Sequence, residues 1–192
     1  EIMPSLVGSE MCIRDRGKVI DDLIVYRRRA DLYVLVVNAA NAEKDWAWLN
    51  AVNSGGVVID PDVPARSVEG KAVLRNLKDP AAGADQRVDI ALQGPAALSI
   101  LQCLTSDPRQ RDALARVRRT DLIEMDLAGM NLIIARTGYT GEDIGYEILV
   151  HPDEATRLWD LLMVHGAPFG IKPAGLAARD STRIEAGLPL YG

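Results

Sequence analysis

The apolar positions along the chain predict short strands joined as hairpins. Residues 18–27 and 32–38 are dense in Val, Ile, Leu and Tyr, and the polar stretch RRAD separates them, which is typical of a β-hairpin. Residues 122–137 repeat the pattern, with a turn predicted at Ala128–Gly129. Residues 57–87 are rich in Pro, Gly, Asp and Arg, so we expect short strands and loops there.

Helical spacing of apolar residues predicts helices between these strands. The first can begin at Asn38 or Asn41 and ends at NSGG. Another begins after a strand and a tight turn at Gly94–Pro95, a third ends at Gly166, and the last ends at Gly187. The apolar faces predicted for the first and third helices are Ala42, Trp46 and Leu49, and Ala155, Leu158, Trp159 and Leu162. Hairpins and helices without a βαβ rhythm predict an α+β fold with antiparallel sheets and flanking helices.

Composition restricts the class of protein without identifying it. The chain has 192 residues, 48% hydrophobic, and a formal net charge of −5, without a basic cluster large enough to predict nucleic-acid binding. No apolar stretch approaches the ~20 residues of a transmembrane helix. Cys12, Cys103, His151 and His165 lack metal-site spacing, and so few cysteines are typical of a reducing cytoplasm. Hydrolase, zinc-protease and nucleotide-binding motifs are absent from the sequence.

The first sixteen residues are predicted to lie outside the fold. Their apolar pieces have no clear period, and SLVGSEMCIRDR is similar to a translated adapter sequence. We therefore predict that residues 1–16 are a non-native leader, with Gly17 as the first natural residue. Because the last predicted helix stops shortly before the chain does, we also expect a piece of a longer protein.

Two adjacent acids, Asp21 and Asp22, interrupt an apolar strand. Successive side chains of a strand point to opposite faces, so one solvated face can explain at most one of them. The other must meet a hydrogen-bond donor, a cation or a ligand cavity, because a buried carboxylate without partners is costly. The alternative is a strand end at which both acids are near solvent or paired with arginines.

Two further stretches are candidates for chemistry. RTGYTGEDIGYEI, residues 136–148, combines three glycines with several acids, and its Glu147 lies within an apolar strand. The alternative is a glycine-rich hairpin loop with solvated acids. In GLAARDSTRIEAG, Arg179 and Arg183 are one helical turn apart, where like charges repel unless an anion or carboxylate lies between them. Asp180 and Glu185 could supply that carboxylate, and the alternative is a solvated helix face.

Taken together, five motifs resemble one family. IDDLIV, VVNAANAEKD, ALQGP, RTGYTGED and GLAARDSTRIEAGLPLYG closely resemble the aminomethyltransferase (T protein) family of the glycine cleavage system, over nearly everything from Gly17 to Gly192. The resemblance implies a folate-binding T-protein-like fold. Residues 17–52 and 153–192 are expected in a first folate-binding subdomain, with 54–152 as an inserted second α+β subdomain. Family members are roughly twice this length, so a C-terminal β-barrel domain would lie beyond Gly192.

The reaction implied by the resemblance is one-carbon transfer in glycine catabolism. The family moves the methylene of the aminomethyl-lipoyl arm of H protein to tetrahydrofolate and releases ammonia. Lipoylated H protein and tetrahydrofolate are then the expected partners. No metal is expected.

The resemblance also implies roles for particular residues. Asp22 matches the catalytic aspartate, so it is expected to face the folate cavity while Asp21 faces the other side. Glu147 matches the acid that recognises the pterin, since one carboxylate can accept from two adjacent N–H groups. Arg179 matches a substrate-binding arginine. The remaining expected folate-pocket residues are Tyr139 and Asn38.

Two departures and three alternatives accompany the resemblance. The family's Gly-Gly ahead of the acidic pair is Gly17-Lys18 here, and one extra residue between Tyr139 and Glu147 leaves the position of Tyr139 open. The alternatives are the folate domain of a dimethylglycine or sarcosine dehydrogenase, a non-catalytic folate-binding iron–sulfur assembly factor, and a fragment inactive by itself. The assembly factors carry KGCYxGQE where this chain has RTGYTGED.

Overall fold

A computed structural model describes residues 6–13, 19–60 and 62–190. The chain divides into two compact units, residues 6–76 and 77–190. Each unit contains its own antiparallel sheet with helices beside it, so the predicted α+β class with antiparallel sheets is confirmed.

The first unit is built on a three-stranded antiparallel sheet. Its order is β1 (Leu6–Ile13), β2 (Val19–Arg29), β3 (Leu32–Val36), and the predicted hairpin is formed by β2 and β3. Helix α1 (Ala42–Ser54) follows and ends at Gly55, whose positive φ of 73° closes the helix as predicted. Residues 56–60 and 62–87 contain loops and one 3₁₀ helix (Pro80–Asp85), so the short strands expected there are not found in the described part of this segment.

The predicted leader takes part in this sheet. Residues 6–13 pair antiparallel with β2, for example Met11 with Asp22, so the prediction that residues 1–16 lie outside the fold is wrong for this stretch. The physical reason is that β2 would otherwise present a row of unpaired backbone groups along that edge. Residues 1–5 and 14–16 lie outside the described residues. The foreign origin of the leader stays a prediction.

The second unit is built on a four-stranded antiparallel sheet of order β4-β7-β6-β5. The strands are β4 (Val88–Gln93), β5 (Leu122–Leu127), β6 (Met130–Ala135) and β7 (Gly145–Val150). The helices are α2 (Ala97–Gln102), α3 (Pro108–Arg116), α4 (Pro152–Gly166) and α5 (Leu176–Glu185). The β5–β6 hairpin turns at Ala128–Gly129 as predicted, with both residues at positive φ.

The core of the second unit explains why the observed division differs from the predicted one. Leu158 and Leu162 of α4 pack with Leu92 and Ile148 of the sheet in one buried cluster. The prediction instead grouped 153–192 with 17–52. An amphipathic helix buries its apolar face against the nearest apolar sheet, and that sheet is supplied by the strands just before it. Trp159, predicted on this face, is 42% exposed.

Candidate functional site

Asp21 is completely buried and is surrounded by hydrogen-bond donors. Its Oδ2 accepts from the backbone N–H of Asn38 at 3.1 Å. Its Oδ1 accepts from Nδ2 of Asn38 at 2.9 Å and from Nδ2 of Asn41 at 2.7 Å. Burial by itself would raise the pKa of Asp21, but these hydrogen bonds, together with one from Asp45, hold it below its usual value. Hydrogen-bond donors thus explain how Asp21, one of the two adjacent acids, is tolerated within an apolar strand.

Asn38 connects the two adjacent acids. Its Nδ2 lies 2.9 Å from Oδ1 of Asp21, 2.7 Å from Oδ1 of Asp22 and 3.0 Å from the Asp22 carbonyl oxygen. An amide nitrogen has two protons, so three acceptors must share them. Asn41 is the N-cap residue of α1, but it makes no capping hydrogen bond with its side chain. Both asparagines, predicted as candidate helix caps, hold Asp21 instead.

A third acid, Asp45, lies beside Asp21. It is on the first turn of α1, only 4% exposed, and its carboxyl group is hydrogen-bonded to that of Asp21. Burial and the neighbouring Asp21 raise the pKa of Asp45 to about 6. Helix α1 therefore turns an acid toward the sheet, whereas Trp46, predicted on its apolar face, is 37% exposed.

Asp22 differs from Asp21 in its surroundings. Its side chain is half-buried, and within the described residues only Oδ1 accepts a hydrogen bond, from Asn38. A carboxylate held by one oxygen can offer the other to a substrate. This arrangement suits a group that stabilises positive charge developing nearby.

Glu147 lies on β7 in the second unit, opposite Ala91 of β4. It is half-buried, and loss of hydration together with the nearby acid Asp89 raises the pKa of Glu147 to about 7, while Arg179 opposes the rise. Asp89 is two residues from Ala91, so the two acids occupy diagonal positions on one face of the ladder. Glu147 is therefore divided between its neutral and ionised forms near neutral pH.

Arg179 and Tyr139 lie close to each other. The guanidinium carbon of Arg179, on α5, is 5.3 Å from the centre of the Tyr139 ring, within the range of a cation–π contact. Asp180 contacts both arginines of this helix, Arg183 at 3.0 Å and Arg179 at 3.9 Å. A carboxylate between the arginines was one of the predicted possibilities. The Arg179 side chain remains 41% exposed, so it is accessible to a ligand.

A residue that sequence reasoning missed organises the glycine-rich loop. Gln93, at the end of β4, donates from Nε2 to the carbonyl oxygens of Thr137 and Tyr146, both at 3.2 Å. A Cβ placed at Gly138 or Gly145 would lie 1.7 or 2.2 Å from Gln93 Oε1. A side chain at either glycine would therefore displace the amide group of Gln93 from this position. The motif ALQGP contained the signal, since a glutamine at the end of an apolar strand needs partners.

The predicted site residues fall into two groups. Asp22 and Asn38 are joined in the first unit, and Glu147, Arg179 and Tyr139 are neighbours in the second. That Asp22 and Glu147 face one cavity stays a prediction. A cavity of about 270 Å³ in the first unit is lined by none of these residues.

The described residues contain neither a metal-binding cluster nor a membrane-spanning helix. In residues 6–13, 19–60 and 62–190, no group of three or more His, Cys, Asp or Glu is arranged to hold a metal ion. No helix in the same part of the chain has the length and apolar character needed to cross a membrane.

The fold and these motifs define a family. Residues 7–192 match the family described as "GCVT N-terminal domain", and the chain belongs to this family. The match begins inside the predicted leader, in agreement with the pairing of residues 6–13.

Similar proteins from other organisms are named "Aminomethyltransferase". The chain is 40% identical over 182 residues to "Aminomethyltransferase" of Caldanaerobacter subterraneus subsp. tengcongensis, covering 95% of this chain and 42% of that protein. Its identity to "Aminomethyltransferase" of Geobacillus thermodenitrificans is 41%, with the same coverage. Among solved structures, it is similar to the glycine cleavage system aminomethyltransferase T from Bartonella henselae, with a TM-score of 0.62 and 29% identity over 94% of this chain and 40% of that one. The chain thus spans about two fifths of the length of these proteins.

Proposed function

We propose that this chain belongs to a tetrahydrofolate-dependent aminomethyltransferase of glycine cleavage. The methylene of the aminomethyl-lipoyl arm of H protein passes from sulfur to tetrahydrofolate, and ammonia leaves. The family match and the name shared by the relatives support this assignment. We place the reaction in the cytoplasm, with lipoylated H protein as the partner and tetrahydrofolate as the substrate.

The half-buried carboxyl of Glu147 carries this proposal. The edge of a pterin presents a ring N–H and an exocyclic amine side by side, and one ionised carboxylate can accept from both. Burial and Asp89 raise the pKa of Glu147 to about 7, and no hydrogen-bond donor among the described residues offsets that rise. Arg179 and Tyr139 are neighbours that can contact a folate carbonyl or carboxylate and a flat ring.

We assign to Asp22 the catalytic role in the transfer of the methylene group. Its carboxylate, fixed through Oδ1 by Asn38, would hydrogen-bond the folate near N5 and N10. There it keeps N5 nucleophilic and offsets the positive charge of an iminium-like intermediate.

The test uses the full-length protein that contains this segment. Wild type should form methylene-tetrahydrofolate from aminomethyl-lipoyl H protein. Glu147→Gln should weaken tetrahydrofolate binding about tenfold in calorimetry, because an amide cannot accept from both pterin donors. Asp160→Asn, which removes an exposed acid from the same unit, is the matched control. Undiminished folate affinity in Glu147→Gln would contradict this site, and a full-length protein with an additional flavin domain would favour the dehydrogenase alternative.

A further inference from the structure

Asp45 has no place in the roles assigned above, yet it is among the most buried acids of the first unit. Its side chain is 4% exposed, and within the described residues its Oδ2 has no hydrogen-bond donor as a partner. A buried carboxyl oxygen without a donor, next to another carboxyl group, is where a proton is expected. The neighbour, Asp21, is fully buried and already accepts from three N–H groups.

We propose that Asp21 and Asp45 form a proton-sharing carboxyl pair that positions the Asp22 carboxylate through Asn38. The inference rests on the proposed function, since it assigns a positioning role within that reaction. Asp45 donates its proton to Asp21, Asp21 accepts from both the backbone and the side chain of Asn38, and Asn38 donates to Asp22 Oδ1 at 2.7 Å. Asp21 and Asp45 are positioning residues, and neither is assigned a contact with substrate.

The carboxyl pair holds the segment from the end of β3 to the first turn of α1 against β2. Asn38, Asn41 and Asp45 all come from residues 38–45, and all three bind Asp21 on β2. Without the shared proton, two buried carboxylates would repel each other, and the connection that carries Asn38 would be displaced from β2. The orientation of Asp22 would then be less restricted.

The charged groups that act on Asp45 are few. Burial and Asp21 raise the pKa of Asp45 to about 6, and Lys44 beside it on α1 opposes the rise. Within the described residues, Asn38 is the side chain that hydrogen-bonds both Asp21 and Asp22. Because the folded-state pKa lies above the ordinary 3.8, the contribution of Asp45 to stability is complete below pH 3.8 and is lost as the pH rises through about 6.

The experiment measures turnover from pH 5.5 to 8 in the full-length protein. Asp45→Ala should lower kcat about tenfold at pH 6 with the KM for tetrahydrofolate unchanged, since the substrate contacts remain while the carboxylate is less well oriented. Asp45→Asn should restore most of that loss, because its amide donates to Asp21 at every pH. The wild-type to Asp45→Asn ratio of kcat should fall as the pH rises through about 6.

The control is Glu43→Gln, which changes an exposed acid on the same turn of α1. The wild-type to Glu43→Gln ratio of kcat should not depend on pH. Equal activity of wild type and Asp45→Ala would overturn the proposal. So would a pH-independent wild-type to Asp45→Asn ratio, or an Asp45→Asn variant that restores nothing.

A second measurement separates this inference from the proposed function. Thermal unfolding of wild type and Asp45→Asn should show the difference in melting temperature shifting in favour of Asp45→Asn between pH 4 and 7. This measurement does not depend on enzymatic activity, and it still tests the carboxyl pair if Asp45→Ala does not fold. A wild-type protein without aminomethyl transfer would overturn the proposed function, and a difference in melting temperature that does not change with pH would overturn the carboxyl pair.

Discussion

Asp21 in the first unit and Glu147 in the second are both acids within an apolar strand, and their pKa values are shifted in opposite directions. Asp21, in the first unit, is completely buried, yet hydrogen bonds from its neighbours hold its pKa below the usual value. Glu147, in the second, is only half-buried, yet its pKa rises to about 7. Burial alone therefore does not decide the charge of a carboxyl group.

The difference comes from the donors. Three N–H groups and the carboxyl group of Asp45 together supply four hydrogen bonds to Asp21, about as many as a carboxylate accepts, so Asp21 acts as an anchor. Among the residues that the structure describes, burial and Asp89 raise the pKa of Glu147, and Arg179 lowers it. A ligand with N–H donors would supply what Glu147 lacks. Asp22 lies between these extremes, with one oxygen bound by Asn38.

The largest expected effect tests Asp22 as the catalytic carboxylate. In the full-length protein, Asp22→Asn preserves the shape but removes the charge next to a developing cation, which costs on the order of 3 kcal/mol, about a hundredfold in turnover. Tetrahydrofolate affinity should change much less. Asp31→Asn, an exposed acid at the β2–β3 turn, is the control in the same assay. Unchanged turnover in Asp22→Asn would remove this residue from the mechanism.

The anchor role of Asp21 is tested by stability. Asp21→Asn places an NH₂ group against the donors of Asn38 in a fully buried site, so we expect a loss of about 2 kcal/mol in the free energy of unfolding. Urea unfolding at pH 5, below the pKa of about 6 of Asp45, avoids repulsion between the two acids. Asp31→Asn again serves as the control, and equal losses in both variants would contradict the anchor.

The pKa of Glu147 predicts how folate binding depends on pH. The pKa is raised from 4.5 to about 7, so the carboxylate that accepts the pterin donors becomes common only as the pH rises through 7. Tetrahydrofolate affinity should increase about tenfold from pH 6 to 8 in wild type. Calorimetry of Glu147→Gln over the same range should show no such increase. An affinity that falls with pH in wild type would mean that Glu147 binds as the neutral acid.

The smallest expected effect concerns Arg179, whose charge lowers the pKa of Glu147. Arg179→Gln removes a charge that lowers the pKa of Glu147, so the midpoint of the pH dependence should move upward by about half a unit. The shift is modest because Arg179 is 41% exposed and solvent screens its charge. Arg183→Gln, one turn along the same helix and bound to Asp180, should leave the midpoint in place. A downward shift in Arg179→Gln would contradict the assignment.

Local patterns were sufficient for much of the fold. The period of apolar residues predicted both hairpins, and Gly55 and Gly187 close their helices at positive φ as expected. These features depend on neighbouring residues and on backbone geometry, which short stretches of sequence encode. The acids within apolar strands were visible in the same way, because a charge at a buried position is unusual wherever it occurs.

The tertiary structure decided which acid has which environment. Strand alternation separated Asp21 from Asp22, but it could not show that Asn38, from another strand end, would contact both. The burial of Asp45 and the hydrogen bonds of Gln93 likewise depend on residues distant in sequence. The sequence by itself determined where the unusual charges lie. Only the folded chain decided their pKa values, because those depend on the donors, charges and solvent that tertiary packing brings to each carboxyl group.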